Sequence, residues 1–122
     1  MKVKVVKLLT DDRNRNILNN NMSDYISLYQ EFTVYGINFE QSSTYFQIYN
    51  NNHLLSVPAD LFIITDSRVS KYWEIRRYDD STFSLWPIEF YREYFHDDLS
   101  EKIPSVIESF EKVKKNMDRE FQ

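Results

Sequence analysis

Alternating apolar and polar residues between positions 31 and 57 predict a meander of three antiparallel strands. The strands are Glu31–Glu40, Thr44–Asn50 and His53–Val57, and an Asn-Asn turn that tolerates positive φ joins the last two. Pairing across both turns places one set of apolar residues on a single face: Tyr35, Ile37, Phe46, Ile48, Leu55 and Val57. Two independent turns therefore agree on the same buried face.

A β-hairpin is predicted next, from Tyr72–Tyr78 and Phe83–Trp86. A two-residue loop would place Ile75 opposite a serine and so mix core with solvent. A three-residue loop over residues 79–81 places Ile75 opposite Leu85 instead. We therefore predict the longer loop.

Two helices are predicted at the carboxyl end. The first runs from Pro87, which suits the first helical position, to Asp98, and the second begins at Pro104. The apolar stripe of the first helix consists of Ile88, Tyr91, Phe95 and Leu99. The stripe of the second consists of Ile107, Phe110, Val113, Met117 and Phe121.

The remaining segments give shorter or weaker patterns. Lys2–Leu9 alternates imperfectly and predicts an edge strand, whereas the asparagine-rich stretch Asp11–Met22 predicts a loop. Asp24–Tyr29 is a candidate further strand. Pro58–Ile64 is predicted as a short helix, although the β-branched residues at its end favour a strand.

Strands first and helices last are typical of the α+β class. We therefore expect an antiparallel β-sheet of about five or six strands, with two C-terminal helices packed on one face. Residues 1–122 form a single domain in this interpretation. A chain of 122 residues buries about two-thirds of the surface of its extended form, which is enough for one hydrophobic core.

Composition excludes several chemistries. The one glycine, Gly36, leaves no Walker A loop, no dinucleotide-binding fingerprint and no glycine-flanked nucleophilic serine. The absence of cysteine excludes disulfides, thiolate nucleophiles and cysteine-ligated metals. A formal net charge of −4 argues against a general nucleic-acid binder. With no signal peptide and no apolar run of membrane-spanning length, we expect a cytoplasmic protein without a membrane partner.

Glu93 and His96 form a Glu-x-x-His motif, and Glu89 lies one helical turn earlier. On a helix these three side chains would share a face, as in di-iron carboxylate bundles. Such sites need a second motif and further glutamates from neighbouring helices, which this chain lacks. We therefore predict no metal, no cofactor and no catalytic residue. A small-molecule enzyme using Glu89, Glu93 and His96 is kept as an alternative hypothesis.

Acidic residues concentrate between Asp79 and Glu101. Seven acids against Arg92 alone give this segment a net charge of −6, which is more negative than the whole chain. Acids for steering and tyrosines for anchoring suit a protein interface, although a solvated helix face is the simpler explanation. The predicted partner-binding residues are Asp79, Asp80, Glu89, Glu93, Tyr94, Asp97 and Asp98.

In its acidity, its lack of cysteine and its single-domain length the chain resembles small bacterial immunity proteins. That resemblance implies that it neutralises a cognate toxin by masking it. We accordingly expect a non-enzymatic protein-binding domain whose partner is a basic protein, blocked by steric and electrostatic occlusion. The alternative is a phage or bacterial adaptor or regulatory domain that binds through its sheet.

Overall fold

The structure is a computed structural model and describes residues 1–8 and 26–122. The predicted loop Asp11–Met22 lies outside the described residues. The strands are β1 (Lys2–Val5), β2 (Glu31–Thr33), β3 (Gly36–Glu40), β4 (Ser43–Asn50), β5 (His53–Pro58), β6 (Phe62–Asp66), β7 (Trp73–Arg77) and β8 (Phe83–Pro87). The helices are α1 (Phe95–Ser100) and α2 (Pro104–Glu120), and 3₁₀ turns cover Ala59–Leu61 and Ile88–Tyr91. Within these ranges, no helix has the length and apolar character needed to cross a membrane.

The strands form two antiparallel sheets. One has three strands in the order β2-β1-β6, and the other has five in the order β5-β4-β3-β8-β7. The predicted α+β class, with antiparallel pairing and two C-terminal helices, is confirmed. The expectation of one sheet differs from the structure, because β1, β2 and β6 pair only with one another among the described strands.

Both faces of the five-stranded sheet are buried at β4, whereas the edge strand β7 is mostly exposed. The three-stranded sheet covers one face, and the sheet-side core includes Val3, Val5, Phe32, Ile37, Phe46, Ile48, Val57 and Phe62. The helices cover the other face, and the helix-side core includes Tyr35, Phe90, Phe95, Val106, Phe110, Val113 and Met117. Because successive side chains of a strand point to opposite faces, burial on both sides makes three consecutive residues of β4 buried, Phe46 to Ile48.

The predicted registers of the turns are confirmed. Ile37 pairs with Phe46 across the first turn of the meander, and Phe46 pairs with Val57 across the second. In the hairpin, Ile75 pairs with Leu85, so the loop spans residues 79–81 as expected. Turn length and the alternation of apolar residues were sufficient to set these pairings.

Tyr35 departs from the predicted face. The chain passes from the three-stranded to the five-stranded sheet at Val34 and Tyr35, which lie between β2 and β3 and belong to neither strand. Val34 enters the sheet-side core and Tyr35 the helix-side core, so Tyr35 and Ile48 lie on opposite faces of the sheet. Tyr35 packs on Phe110, 6.0 Å between ring centroids, and its hydroxyl donates to Asp118 Oδ1 at 2.6 Å.

Three weaker predictions are wrong, beginning with the edge strand predicted at Lys2–Leu9, since β1 is the middle strand of its sheet. Ala59–Leu61 forms one 3₁₀ turn, and the β-branched residues that follow continue as β6 against β1. Residues 26–30 form a turn and not a strand. Ile26 is buried there, whereas Leu28 is 43% exposed.

The predicted helix Pro87–Asp98 is broken in the structure. Pro87 ends β8, the 3₁₀ turn follows, and α1 begins at Phe95 after Tyr94, which has a left-handed φ of 61°. Phe90 and Phe95 would point about 140° apart on one continuous helix. The break lets both rings enter the helix-side core, where they stack with centroids 4.9 Å apart.

The second helix matches its prediction. It begins with Pro104 at the first turn, and Phe110, Val113 and Met117 are buried along one stripe. The fourth buried position is Val106, whereas Ile107 is half-buried.

Gly36 makes room for two side chains of the helix-side face. A Cβ atom at this position would lie 2.8 Å from Trp86 Cδ1 and 3.3 Å from the amide of Gln47. The first distance is shorter than a carbon–carbon contact allows. The single glycine of the chain is therefore required by a close approach between β3, β4 and β8, and not by a turn.

Replacing Gly36 with alanine is expected to lower the free energy of unfolding by about 1–3 kcal/mol, because the methyl group overpacks the contact with Trp86. Urea denaturation monitored by tryptophan fluorescence measures this loss. Ser43→Ala, at an exposed end of β4, is the control and should change stability by less than about 0.5 kcal/mol. A Gly36→Ala protein as stable as the parent would contradict the packing argument.

Candidate functional site

His96 of α1 lies at the centre of the helix-side face. Its Nε2 is 3.1 Å from Oε1 of Gln47, a buried side chain of β4 with 3% exposure. Because this amide oxygen is an acceptor, the contact requires the hydrogen of the imidazole on Nε2. The ring also packs on Trp86, with centroids 4.8 Å apart, and edge-on against Phe90.

Three clefts meet at His96. The hairpin cleft, about 330 Å³, lies between the β7–β8 hairpin and residues 90–97; its lining includes Arg76, Tyr78, Trp86, Tyr91, Arg92, Tyr94, His96 and Asp97. The sheet cleft, about 340 Å³, is lined by Asn38, Gln47, Leu54, Leu55, Ser56, Trp86 and His96. The helix cleft, about 270 Å³, lies between the β4–β5 turn and the two helices. The six-residue α1 is too short to cover the sheet, so its surroundings remain open.

The floor of the hairpin cleft is fixed by hydrogen bonds. The Tyr91 hydroxyl donates to the backbone oxygen of Glu74 at 2.8 Å. The buried Ser84 hydroxyl lies 2.8 Å from the same Tyr91 hydroxyl. Burial raises the pKa of Tyr91, which keeps this hydroxyl protonated as a donor. The Arg76 guanidinium lies 4.0 Å from the centroid of the Tyr91 ring, in cation–π geometry.

Tyr94 stands at the mouth of the hairpin cleft. It is 66% exposed and has φ 61°, a backbone region that costs a residue other than glycine about 1–2 kcal/mol. Its carbonyl accepts the Asp98 N–H at 2.8 Å, which starts α1. Together with Tyr78, which is 57% exposed, Tyr94 gives the cleft two accessible aromatic rings.

Of the residues predicted to bind a partner, Tyr94 and Asp97 line the hairpin cleft. Asp79 and Asp80 lie in the turn of the hairpin and contact their neighbours. The Ser81 N–H donates to Asp79 Oδ1 at 2.8 Å, which lowers the pKa of that carboxyl group. Asp80 pairs with Arg77 at 2.6 Å.

The other three predicted residues follow the chain into α1. Glu89 belongs to the 3₁₀ turn, Glu93 is exposed beside Tyr94, and Asp98 lies in the first turn of α1. The expected alignment of Glu89, Glu93 and His96 on one helix face is wrong, because the chain is not helical from 92 to 94.

Sequence reasoning missed two features of this site. Arg76 and Arg92 line the same cleft as Asp97, so its charge is mixed and not uniformly acidic. The contact between His96 and Gln47 joins residues 49 positions apart, and no local sequence motif predicts it. The usable signal was Gly36, whose absent side chain accommodates Gln47 and Trp86. Within residues 1–8 and 26–122, no group of three or more histidine, aspartate or glutamate side chains is placed to hold a metal ion.

Acid should destabilise the protein through His96. Burial lowers the pKa of this imidazole in the folded state, while Asp97 acts in the opposite direction. The unfolded chain therefore binds a proton near pH 6.5 that the folded protein does not, so stability falls as the pH drops below about 6.5. The expected contribution reaches at most about 1.4 kcal/mol per pH unit.

Urea denaturation between pH 7.5 and 5 measures this effect in the parent and in His96→Gln, which keeps an N–H donor for Gln47 but does not titrate. The variant should show a shallower loss of stability. Equal slopes in the two proteins would mean that His96 does not carry the effect.

Comparison with protein-family models found none that matches the chain, and searches of curated proteins and of solved structures also found no match.

Proposed function

We propose that this chain is a non-enzymatic protein-binding domain and that the hairpin cleft is its contact surface. One observation carries the proposal: the exposed ring of Tyr94 is held in a strained backbone conformation at the mouth of an aromatic cleft. Strain of this kind persists where the surrounding structure enforces it, and it concentrates at functional positions.

The side chains of the cleft are those that anchor protein interfaces. Tyrosine, tryptophan and arginine are enriched among residues that dominate binding energy, and this cleft contains all three types. Tyr91 and Trp86 are already fixed by hydrogen bonds to Glu74 and Asn38, at 2.8 and 2.7 Å. These two side chains would therefore lose little conformational entropy when a partner contacts them.

Charge supports a basic partner. The lining of the cleft is mixed in charge, but the segment from Asp79 to Glu101 that surrounds it carries a net charge of −6, with Glu93 next to Tyr94 and Asp97 three residues after it. Acids near a recognition surface accelerate encounters with a cationic protein. In the specific form of the proposal, the domain is a cytoplasmic bacterial immunity protein that occludes a basic toxin, with its carboxylates in place of the anionic groups that the toxin prefers.

Binding through the sheet is the second candidate, and the structure restricts where it could occur. Gln47 and Tyr49, both on the face that the helices cover, are buried and half-buried. The edge strand β7 is more accessible, since Ile75 is 65% exposed there. Its charged neighbours Glu74, Arg76 and Arg77 are of the kind that protects edge strands from pairing.

Tyr94→Gly separates the role of the side chain from that of the fold. Glycine adopts φ 61° without strain, so the fold should be kept or gain up to about 1 kcal/mol, while partner affinity falls at least about tenfold. A pull-down with the parent protein, followed by binding kinetics on the purified partner, measures the affinity. Thermal unfolding measures stability.

Tyr29→Gly is the matched control. Tyr29 has φ 68° and is 68% exposed, so the substitution makes the same change away from the hairpin cleft. Affinity should be unchanged. Equal binding by the parent and Tyr94→Gly proteins would overturn the proposed surface.

Asp97→Asn tests the electrostatic part of the proposal. Loss of this carboxylate should slow association and flatten its dependence on ionic strength, while the dissociation rate changes little. The association rate is measured by stopped-flow kinetics at 50 and 300 mM salt. The Debye length is longer than about 8 Å at the first concentration and shorter than about 8 Å at the second. Asp60→Asn, an exposed aspartate of the 3₁₀ turn Ala59–Leu61, removes the same charge elsewhere. If the two substitutions slowed association equally, the effect would come from the net charge of the whole domain and not from the hairpin cleft.

A further inference from the structure

The helix cleft is distinct from the hairpin cleft in both position and chemistry. It lies between the β4–β5 turn and the two helices, with a volume of about 270 Å³. Its apolar lining comes from Tyr49, Leu54, Leu99, Ile107 and Phe110. The Tyr49 ring packs on Phe110 with centroids 5.1 Å apart, and because Phe110 is only 1% exposed, Tyr49 presents the accessible aromatic surface of the cleft.

Lys102 lines this cleft from a strained position. The Ile103 N–H donates to the Asp98 carbonyl at 3.0 Å and the Lys102 N–H donates to the Leu99 carbonyl at 3.1 Å, which is the Schellman pattern for ending a helix. Its left-handed residue is usually glycine, yet here it is a lysine with φ 60°. The cation is thus placed beside an apolar cleft at a cost in backbone energy.

Glu111 supplies the opposite charge from α2. Both Lys102 and Glu111 are exposed and line the cleft, and no ion pair within 4.0 Å joins either of them to another described residue. The Lys114 ammonium on the same helix is already engaged by Asp118 at 2.9 Å. Lys102 and Glu111 therefore give the cleft a cation and an anion beside its apolar wall, and the imidazoles of His53 and His96 also line it.

We propose that the helix cleft binds a free apolar α-amino acid. Its carboxylate contacts Lys102, its ammonium group contacts Glu111, and its side chain packs on the half-buried Tyr49 and Ile107. A zwitterion with an apolar side chain matches all three properties, whereas a purely cationic or anionic ligand leaves one charged group of the cleft opposed or unused. This site goes beyond the proposed function, since it requires no protein partner.

Titration with three related probes tests the charge pattern. L-phenylalanine carries both charges, 3-phenylpropionate lacks the ammonium group and 2-phenylethylamine lacks the carboxylate. Amide chemical shifts of Tyr49, Leu54 and Ile107 in the full chain report binding. Phenylalanine should saturate these shifts and bind about tenfold tighter than either single-charge analogue.

Two substitutions assign the charges. Lys102→Met should weaken phenylalanine binding about tenfold and leave phenylethylamine unaffected, whereas Glu111→Gln should spare phenylpropionate. Lys115→Met, on the exposed side of α2, is the control and should change none of the three affinities. Lys102→Gly relieves the φ strain and should lose phenylalanine binding in a fold at least as stable as the parent.

Three results would each overturn the proposal. They are shifts that do not saturate with phenylalanine, equal affinity for the three probes, and unchanged phenylalanine binding in Lys102→Met. None of them bears on binding of a protein to the hairpin cleft, so failure here is distinguishable from failure of the proposed function.

Discussion

Gln47 lies on a strand that is buried on both faces, and a buried side-chain amide without a hydrogen-bond partner would cost the fold about 1–3 kcal/mol. His96 provides that partner from α1, across 49 residues of sequence. Gly36 leaves the space that Gln47 and Trp86 need on the neighbouring strand. This contact constrains the helix side, because the half-buried imidazole must sit over the sheet for its Nε2 to reach Oε1 of Gln47.

The packing around the short helix α1 also produces the proposed contact surface. Phe90 and Phe95 both enter the core because the chain breaks between them, and the break leaves Tyr94 in the left-handed region. Lys102 adopts the same region at the other end of α1. The six-residue helix is thus bounded by two exposed side chains in strained conformations, each lining a different cleft. Local strain stored at both ends is compensated by the burial of the residues between them.

His96 connects the two proposed activities physically. The same imidazole lines the hairpin cleft, where Tyr94 offers an anchor, and the helix cleft, where Lys102 offers a cation. A ligand in either proposed site would therefore lie in a cleft that His96 lines. Coupling between the clefts would require two arrangements of α1 that the two ligands stabilise to different degrees. The coupling free energy is measured by comparing the affinity for one ligand in the absence and in the presence of the other.

By itself the sequence determined the local parts of this protein. The registers around Phe46 and Ile75 and the helix through Phe110 follow from turn length and hydrophobic period, which act between near neighbours. Only the tertiary structure decided the rest. The division into two sheets put Tyr35 on the helix side, and burial of Phe90 and Phe95 ended the helical pattern. For the candidate site, the sequence identified Tyr94 and Asp97 through composition, but placing Arg76 beside them required the hairpin to fold against α1. Contacts between residues far apart in sequence do not affect the hydrophobic periodicity of a single chain. They are therefore determined only when the sheets and helices pack together.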